Sequence, residues 1–185
     1  MKNIFIGGVS KSGKSTLSKK LKKDIYNHIP LDYFASSFKR NFPMNNITSN
    51  VVVSETSSKN LSLFLSRVIE IIDTTNEKFI IDSAHILPED INKYLDRNKW
   101  DIYYLGYPNI DKESKLQDIR KYETKEDWTY NKSDIELLDI FDKLILLSKK
   151  EKEMCDKLNI KYIDVSKNVV EIINEIWNEI TKWPF

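Results

Sequence analysis

A chain of 185 residues, 41% apolar and 31% charged, has room for one domain with a full core and too little for two. That composition belongs to a soluble globule, and a formal net charge of +1 argues against a broad electrostatic footprint for duplex nucleic acid. The single cysteine, Cys155, excludes an intrachain disulfide and a cysteine metal framework, and reads as a small buried or half-buried side chain.

Lys2-Asn3-Ile4-Phe5-Ile6 reads as a short buried strand, with too brief an apolar run for a signal peptide. Gly8-Val9-Ser10-Lys11-Ser12-Gly13-Lys14-Ser15 follows, with Thr16 behind it, and fits G-x-x-x-x-G-K-[ST] at every fixed position. Thr16-Leu17-Ser18-Lys19-Lys20-Leu21 then opens a helix that is expected to run to about Lys23 or Asp24. The glycines let the backbone turn its N–H groups inward round a phosphate, and the helix N-terminus adds partial positive charge. Lys14 would reach the β- and γ-phosphates, and Ser15 would offer its hydroxyl to Mg²⁺. An accidental Gly/Ser/Lys loop is the alternative. A strand before it and a helix after it tell against that, so Gly8 through Thr16 are expected to hold a nucleotide.

Ile29-Pro30-Leu31-Asp32 looks like a second strand ending in a carboxylate, and Tyr33 to Phe42 follows it up to Pro43. Asn41 to Asn50 is polar and turn-rich, the best candidate for a mobile loop. Leu61, Phe64, Leu65, Val68, Ile69 and Ile72 recur at helical spacing. Lys78-Phe79-Ile80-Ile81-Asp82 is a continuous apolar strand of the kind a parallel sheet buries on both faces, and Pro88 starts a helix through about Arg97. Asp101 to Leu105 gives a fourth strand, stopped by Gly106-Tyr107-Pro108. Asp111 to about Glu123 reads as helical, Thr124 to Lys132 as irregular, and Ser133 or Asp134 as the cap of a long helix through Leu147. Ile160 to Val165 is a last strand and Val169 to Trp183 a closing amphipathic helix. No run approaches the roughly 18 apolar residues of a membrane span, and the protein is expected in the cytoplasm. The alternation implies an α/β fold with a parallel sheet in one domain, 1–185, without repeats or linkers.

Several side chains have two readings. Asp32, at the carboxyl end of a strand, faces the usual cleft of an open α/β sheet and would take or orient a proton from a substrate hydroxyl; equally, it could cap the next helix. Lys39 and Arg40 could bind an anionic group, Arg40 the better of the two because a planar guanidinium suits phosphate or carboxylate. Tyr33, Phe34 and Phe38 would wall such a pocket or, the preferred reading for the aromatics, pack as core; Tyr33, beside Asp32, remains a substrate-binding candidate. His85 could touch substrate or simply bond backbone. Arg120 borders the apolar stripe of Leu116 and Ile119 and is either an exposed ion-paired cation or a cation above the phosphates. Trp128 and Tyr130 could stack on a base or anchor a loop. Ser148 to Glu153 mixes both signs on a helical face and reads as a solvated surface. Asn131-Lys132-Ser133-Asp134 matches the guanine-recognition signature of GTPases, yet no buried strand precedes it, and His85 stands where those proteins carry a glycine three residues after the carboxylate strand.

The loop Gly8–Thr16 near the N-terminus, an Asp ending a second strand, Phe79-Ile80-Ile81-Asp82 and a charged insert before a long helix together resemble the small P-loop kinases of nucleosides, nucleotides and metabolites. The resemblance implies a five-stranded parallel sheet of order 2-3-1-4-5 with helices on both faces. It also implies a lid at about 111–132, Asp82 as the carboxylate that organises Mg²⁺ with Ser15, and Arg120 as a lid arginine meeting the transferred phosphoryl group. Val165 to Lys167 would lie beside the adenine. The chain departs from nucleotide monophosphate kinases in having Arg120 as its only arginine after Asp101, and Asp82-Ser83-Ala84-His85 after the third strand. That favours a nucleoside or another small hydroxyl metabolite as acceptor.

The reading is therefore an ATP- and Mg²⁺-dependent kinase with Lys14, Asp32 and Arg120 catalytic, Gly8 to Thr16 on the nucleotide, Asp32, Tyr33 and Arg40 on the acceptor, and Ser15 and Asp82 on the metal. A nucleotide-dependent switch with a protein partner is the alternative from another class. The near-zero charge disfavours a nucleic-acid acceptor. Acceptor identity, ATP against GTP, and oligomeric state are not encoded in any motif.

Overall fold

The computed structural model describes residues 1–22 and 26–181. Five strands, β1 (Asn3–Gly8), β2 (Asn27–Pro30), β3 (Phe79–Asp82), β4 (Trp100–Gly106) and β5 (Lys161–Asp164), form one sheet of order β2-β3-β1-β4-β5. Every pairing is parallel, with Ile6 opposite Asp82 and Tyr103, and Pro30 opposite Asp82. The carboxyl ends of β1, β2 and β3 therefore finish side by side. The expected sheet order and strand directions are those observed.

Helices cover both faces. Successive residues of a strand point to opposite sides, so Ile4 and Ile6 enter one core with α1 (Lys14–Lys22), the first half of α6 (Asp134–Leu158) and α7 (Val169–Thr181). Phe5, Ile81 and Tyr104 enter the other, with α2 (Leu31–Asn41), α3 (Glu55–Ile72) and α4 (Pro88–Ile91). The buried Leu61, Leu65, Ile69 and Ile72 of α3 follow the spacing read from the sequence. At about 1.5 Å per residue, the 25 residues of α6 are long enough to reach both cores, Phe141 in the first and the buried Cys155 in the second. Its N-terminus is a capping box, with the Ser133 hydroxyl on the Glu136 N–H and the Glu136 carboxylate on the Ser133 N–H. Between β4 and α6 lies α5 (Lys112–Tyr122), capped by Asp111.

Four expectations change. The second strand ends at Pro30, and α2 begins at Leu31, because Leu31, Ala35 and Phe38 recur at helical rather than alternating spacing. Asp32 thus sits in a first helical turn, where a negative charge suits the helix dipole. Tyr33 and Phe34 are not core: both are exposed, and only Phe38 is tucked in, edge-on against Phe64 at 4.9 Å. The helix at Pro88 stops at Ile91; the chain then tightens into i→i−3 bonds (Lys93 N–H to Asp90 and Tyr94 N–H to Ile91) before the Asp96 side chain caps a turn. The 41–50 loop is tied down, with Ile47 buried, the Thr48 N–H on Ser57 Oγ at 2.8 Å and the Asn60 amide on the Asn45 carbonyl at 2.8 Å. The expected helical residues Lys23, Asp24 and Trp183 lie outside the described residues.

Candidate active site

The chain leaves β1 and enters α1 through a loop whose turns only special backbone can make. Gly8 has φ +121°, and a Cβ there would meet the Leu105 carbonyl at 2.0 Å; Gly13 has φ +92° and faces Ile173. Lys11, at φ 60°, holds a left-handed conformation without being glycine. The Ser12 hydroxyl is buried in this loop with no partner among the described residues.

Lys14 opens α1 and folds back across the loop, its Nζ donating to the Val9 carbonyl at 2.7 Å. The side chain is buried, and desolvation holds the ammonium below its usual pKa, while the carboxylates of Asp32, Asp82 and Glu151 pull it back up. One residue on, Ser15 Oγ donates to Asp82 Oδ2 at 3.1 Å. The other Asp82 oxygen, Oδ1, lies 2.5 Å from Nε2 of His28 on the neighbouring strand. Beside this group, Asp32 Oδ1 accepts the Ala84 N–H at 3.3 Å and stands 3.6 Å from Nε2 of His85. Burial lowers the His85 pKa, favouring the neutral ring, and its Nδ1 is buried without a partner among the described residues.

Lys14, Ser15, Asp82 and Asp32 thus converge at the carboxyl ends of β1, β2 and β3. Tyr33 and Arg40 do not join them through any polar contact: both are exposed on α2 and make no hydrogen bond or ion pair among the described residues. His28 was not singled out in the sequence. Its only local signal is a polar residue in a short strand, and its partner is 54 positions away.

The segment 111–132 reaches the loop through residues other than the one expected. Lys115 Nζ donates to the Lys11 carbonyl at 2.8 Å and lies 4.6 Å from the centre of the Tyr107 ring, whose hydroxyl donates to the Ser10 carbonyl at 2.8 Å. Asp127 pairs with the Lys11 ammonium. Arg120, expected to meet the transferred group, is instead spent within its own segment. Its Nε and Nη2 hold Asp134 Oδ1 at 2.9 and 2.8 Å, Nη1 holds Glu123 at 2.7 Å, and Nη2 also holds the Lys132 carbonyl at 2.6 Å. A guanidinium has five N–H groups in a fixed fork, and Asp134, Glu123 and the Lys132 carbonyl occupy Nε, Nη1 and Nη2.

The same bonds dispose of the guanine-recognition match, since the Lys132 carbonyl and the Asp134 carboxylate hold Arg120 and Ser133 caps α6. Trp128 packs against the first core, and Tyr130 is 43% exposed. Val165 is buried and bonded to the Gly106 carbonyl, with Lys167 exposed two residues on.

The residues fit a nucleotide phosphate and a hard cation. The loop offers left-handed backbone at three positions, an unpartnered hydroxyl and a buried ammonium, and Ser15 with Asp82 forms an all-oxygen pair of the kind Mg²⁺ takes alongside phosphates.

No protein-family model matches the chain, and no curated protein matches it in sequence. Among solved structures it is similar to a shikimate kinase from Bacteroides thetaiotaomicron, with TM-score 0.60 and 14% identity over 98% of this chain and 99% of that one. A gluconokinase from Sinorhizobium meliloti 1021 aligns with TM-score 0.59 and 13% identity over 98% and 92% of the two chains. A sugar kinase from Janibacter sp. HTCC2649 aligns with TM-score 0.58 and 14% identity over 98% and 96%. At these identities the likeness is one of fold, the five-stranded parallel sheet with helices on both faces.

Proposed function

We propose that the chain is a phosphotransferase that moves the γ-phosphoryl group of ATP to a hydroxyl of a small molecule, with Mg²⁺. The observation that carries the reading is the convergence of Lys14, Ser15 and Asp82 with Asp32 one strand away. A phosphate-holding group beside a half-exposed carboxylate makes two adjoining half-sites, donor and acceptor.

When bound, Mg²⁺ would supply charge neutralisation for phosphoryl transfer. Ser15 and Asp82 would hold it, and the backbone from Gly8 to Thr16 would wrap the phosphates. Lys14, already desolvated, would exchange the Val9 carbonyl for phosphate oxygens, where a cation in a dry site acts far more strongly than in water. Asp32 would accept the proton of the attacking hydroxyl or fix its direction, with His85 beside it as a neutral ring. Tyr33 and Arg40 are kept as candidate acceptor contacts at the rim of α2. Segment 111–132 would act as a lid. Its cation nearest the phosphate loop is Lys115, and Arg120 would keep the loop shaped so that Lys115 and Asp127 meet it.

Lys14→Ala tests the donor half directly. Transfer should fall by about 10²–10³, with ATP affinity measured in parallel; wild-type transfer in this variant would sink the mechanism. The shikimate, gluconate and sugar of the three similar proteins are the first acceptors to try. Tight nucleotide binding with slow hydrolysis that ignores every acceptor would favour a switch protein instead.

A further inference from the structure

Asp82 is the one carboxylate that touches Ser15, and both of its oxygens are occupied: Oδ2 by the Ser15 hydroxyl and Oδ1 by His28. A carboxylate only accepts hydrogen bonds, so Nε2 of His28 carries the hydrogen. The strand register explains the reach. His28 lies opposite Ile80 and Pro30 opposite Asp82, so His28 and Asp82 share a sheet face two positions apart, and the imidazole leans along the strand to the carboxylate. The Asp82 side chain is buried at 4% exposure, and that of His28 is mostly covered at 10%. No other side-chain hydrogen bond of His28 exists among the described residues.

The consequence is orientation. The terminal torsion of an aspartate is broad and roughly two-fold, and Ser15 alone would leave the carboxylate free to rotate about its bond.

We propose that His28 is a positioning residue: its ring N–H pins Oδ1 of Asp82, keeping Oδ2 on Ser15 and the Mg²⁺ position. This rests on the nucleotide and Mg²⁺ reading above. Hydrogen-bond partners behind a metal-binding side chain are the residues whose loss costs about 10- to 100-fold in metal affinity.

The test is ATP affinity by titration calorimetry, in Mg²⁺ and in EDTA, for the wild type, His28→Ala, His28→Phe and His28→Gln. In the wild type Mg²⁺ strengthens ATP binding. In H28A that Mg²⁺-dependent gain shrinks by about 10-fold or more, while the affinity in EDTA is unchanged. H28F fills the ring's space without a donor and behaves as H28A does, which keeps the comparison open should the smaller side chain unfold the protein. H28Q, with an amide N–H that can reach Oδ1, recovers most of the gain. A gain retained in H28A and H28F, or an affinity that drops by one factor with and without Mg²⁺, overturns the assignment. A wild type with no Mg²⁺-dependent gain at all is a different failure, that of the nucleotide and metal reading itself.

Discussion

Asp32 is 48% exposed at its side chain, yet one oxygen is tied to the Ala84 N–H, so the carboxylate is both fixed and open to a ligand. Its replacement by Asn keeps size and polarity and removes the charge. Asp32→Asn should lower transfer by about 10²–10⁴ with ATP affinity little changed, read as steady-state transfer against equilibrium binding. Lys115 gives a pH prediction. Burial pulls its pKa down to about 8, helped by the Lys11 charge and opposed by Asp118. The ammonium is present at pH 7 and is lost as pH rises through about 8, so transfer should fall over that range. Lys115→Arg should carry activity to higher pH, since a guanidinium does not deprotonate there. A rate that is flat to pH 9 would remove Lys115 from the site. Legibility in the sequence divides along the same line. Gly8 to Ser15 can be read because the loop's chemistry is local, and Asp82 because it ends an apolar strand. His28 and Lys115 cannot, because their roles come from partners 54 and 104 positions away. Arg120 was legible as a cation on the right segment, but not its engagement with Asp134 and Glu123.

At the scale of elements, α6 carries a feature no pattern announced. Glu151 lies on it fully buried, with Oε2 unpartnered among the described residues, and desolvation raises its pKa to about 8 against the pull of the Lys14 charge. In the unfolded chain the group titrates near its ordinary 4.5. The folded state therefore holds the extra proton between those values, and stability must fall as pH rises from about 4.5 through 8. Glu151→Gln cannot ionise and should flatten that fall, seen as a melting temperature that varies less between pH 5 and 8 than in the wild type. An identical pH dependence in the two proteins would contradict the buried-carboxyl account. The sequence read this stretch as a solvated face because Lys149, Lys150 and Lys152 surround it, and a mixed-charge run hides the one position that turns inward. Elements with strong periodicity were legible in full, as α3 shows, whereas the Pro30–Asp32 boundary was blurred by a proline that can end a strand or precede a helix.

The whole molecule places the Gly8–Ser15 loop at the middle strand of a parallel sheet and Asp32 one strand beyond its neighbour, with segment 111–132 packed against the loop. That geometry depends on two cores packed on opposite faces, and α3 anchors one of them. Leu65→Ala, at a fully buried position, should cost about 2–5 kcal/mol in chemical denaturation, and a loss near zero would mean that α3 does not pack as described. The parallel sheet was legible through the alternation of strands and helices, and its order only through the family resemblance. The acceptor was not, because no motif encodes acceptor choice. The most direct test of the central claim is ATP consumption with Mg²⁺ against pooled nucleosides, nucleotides, sugars and hydroxy acids, with product masses read alongside. The account predicts one acceptor gaining the mass of a phosphoryl group, with little turnover in its absence and a rate about 10²–10³ lower in Lys14→Ala. Nucleotide turnover that is the same with and without every acceptor would contradict it.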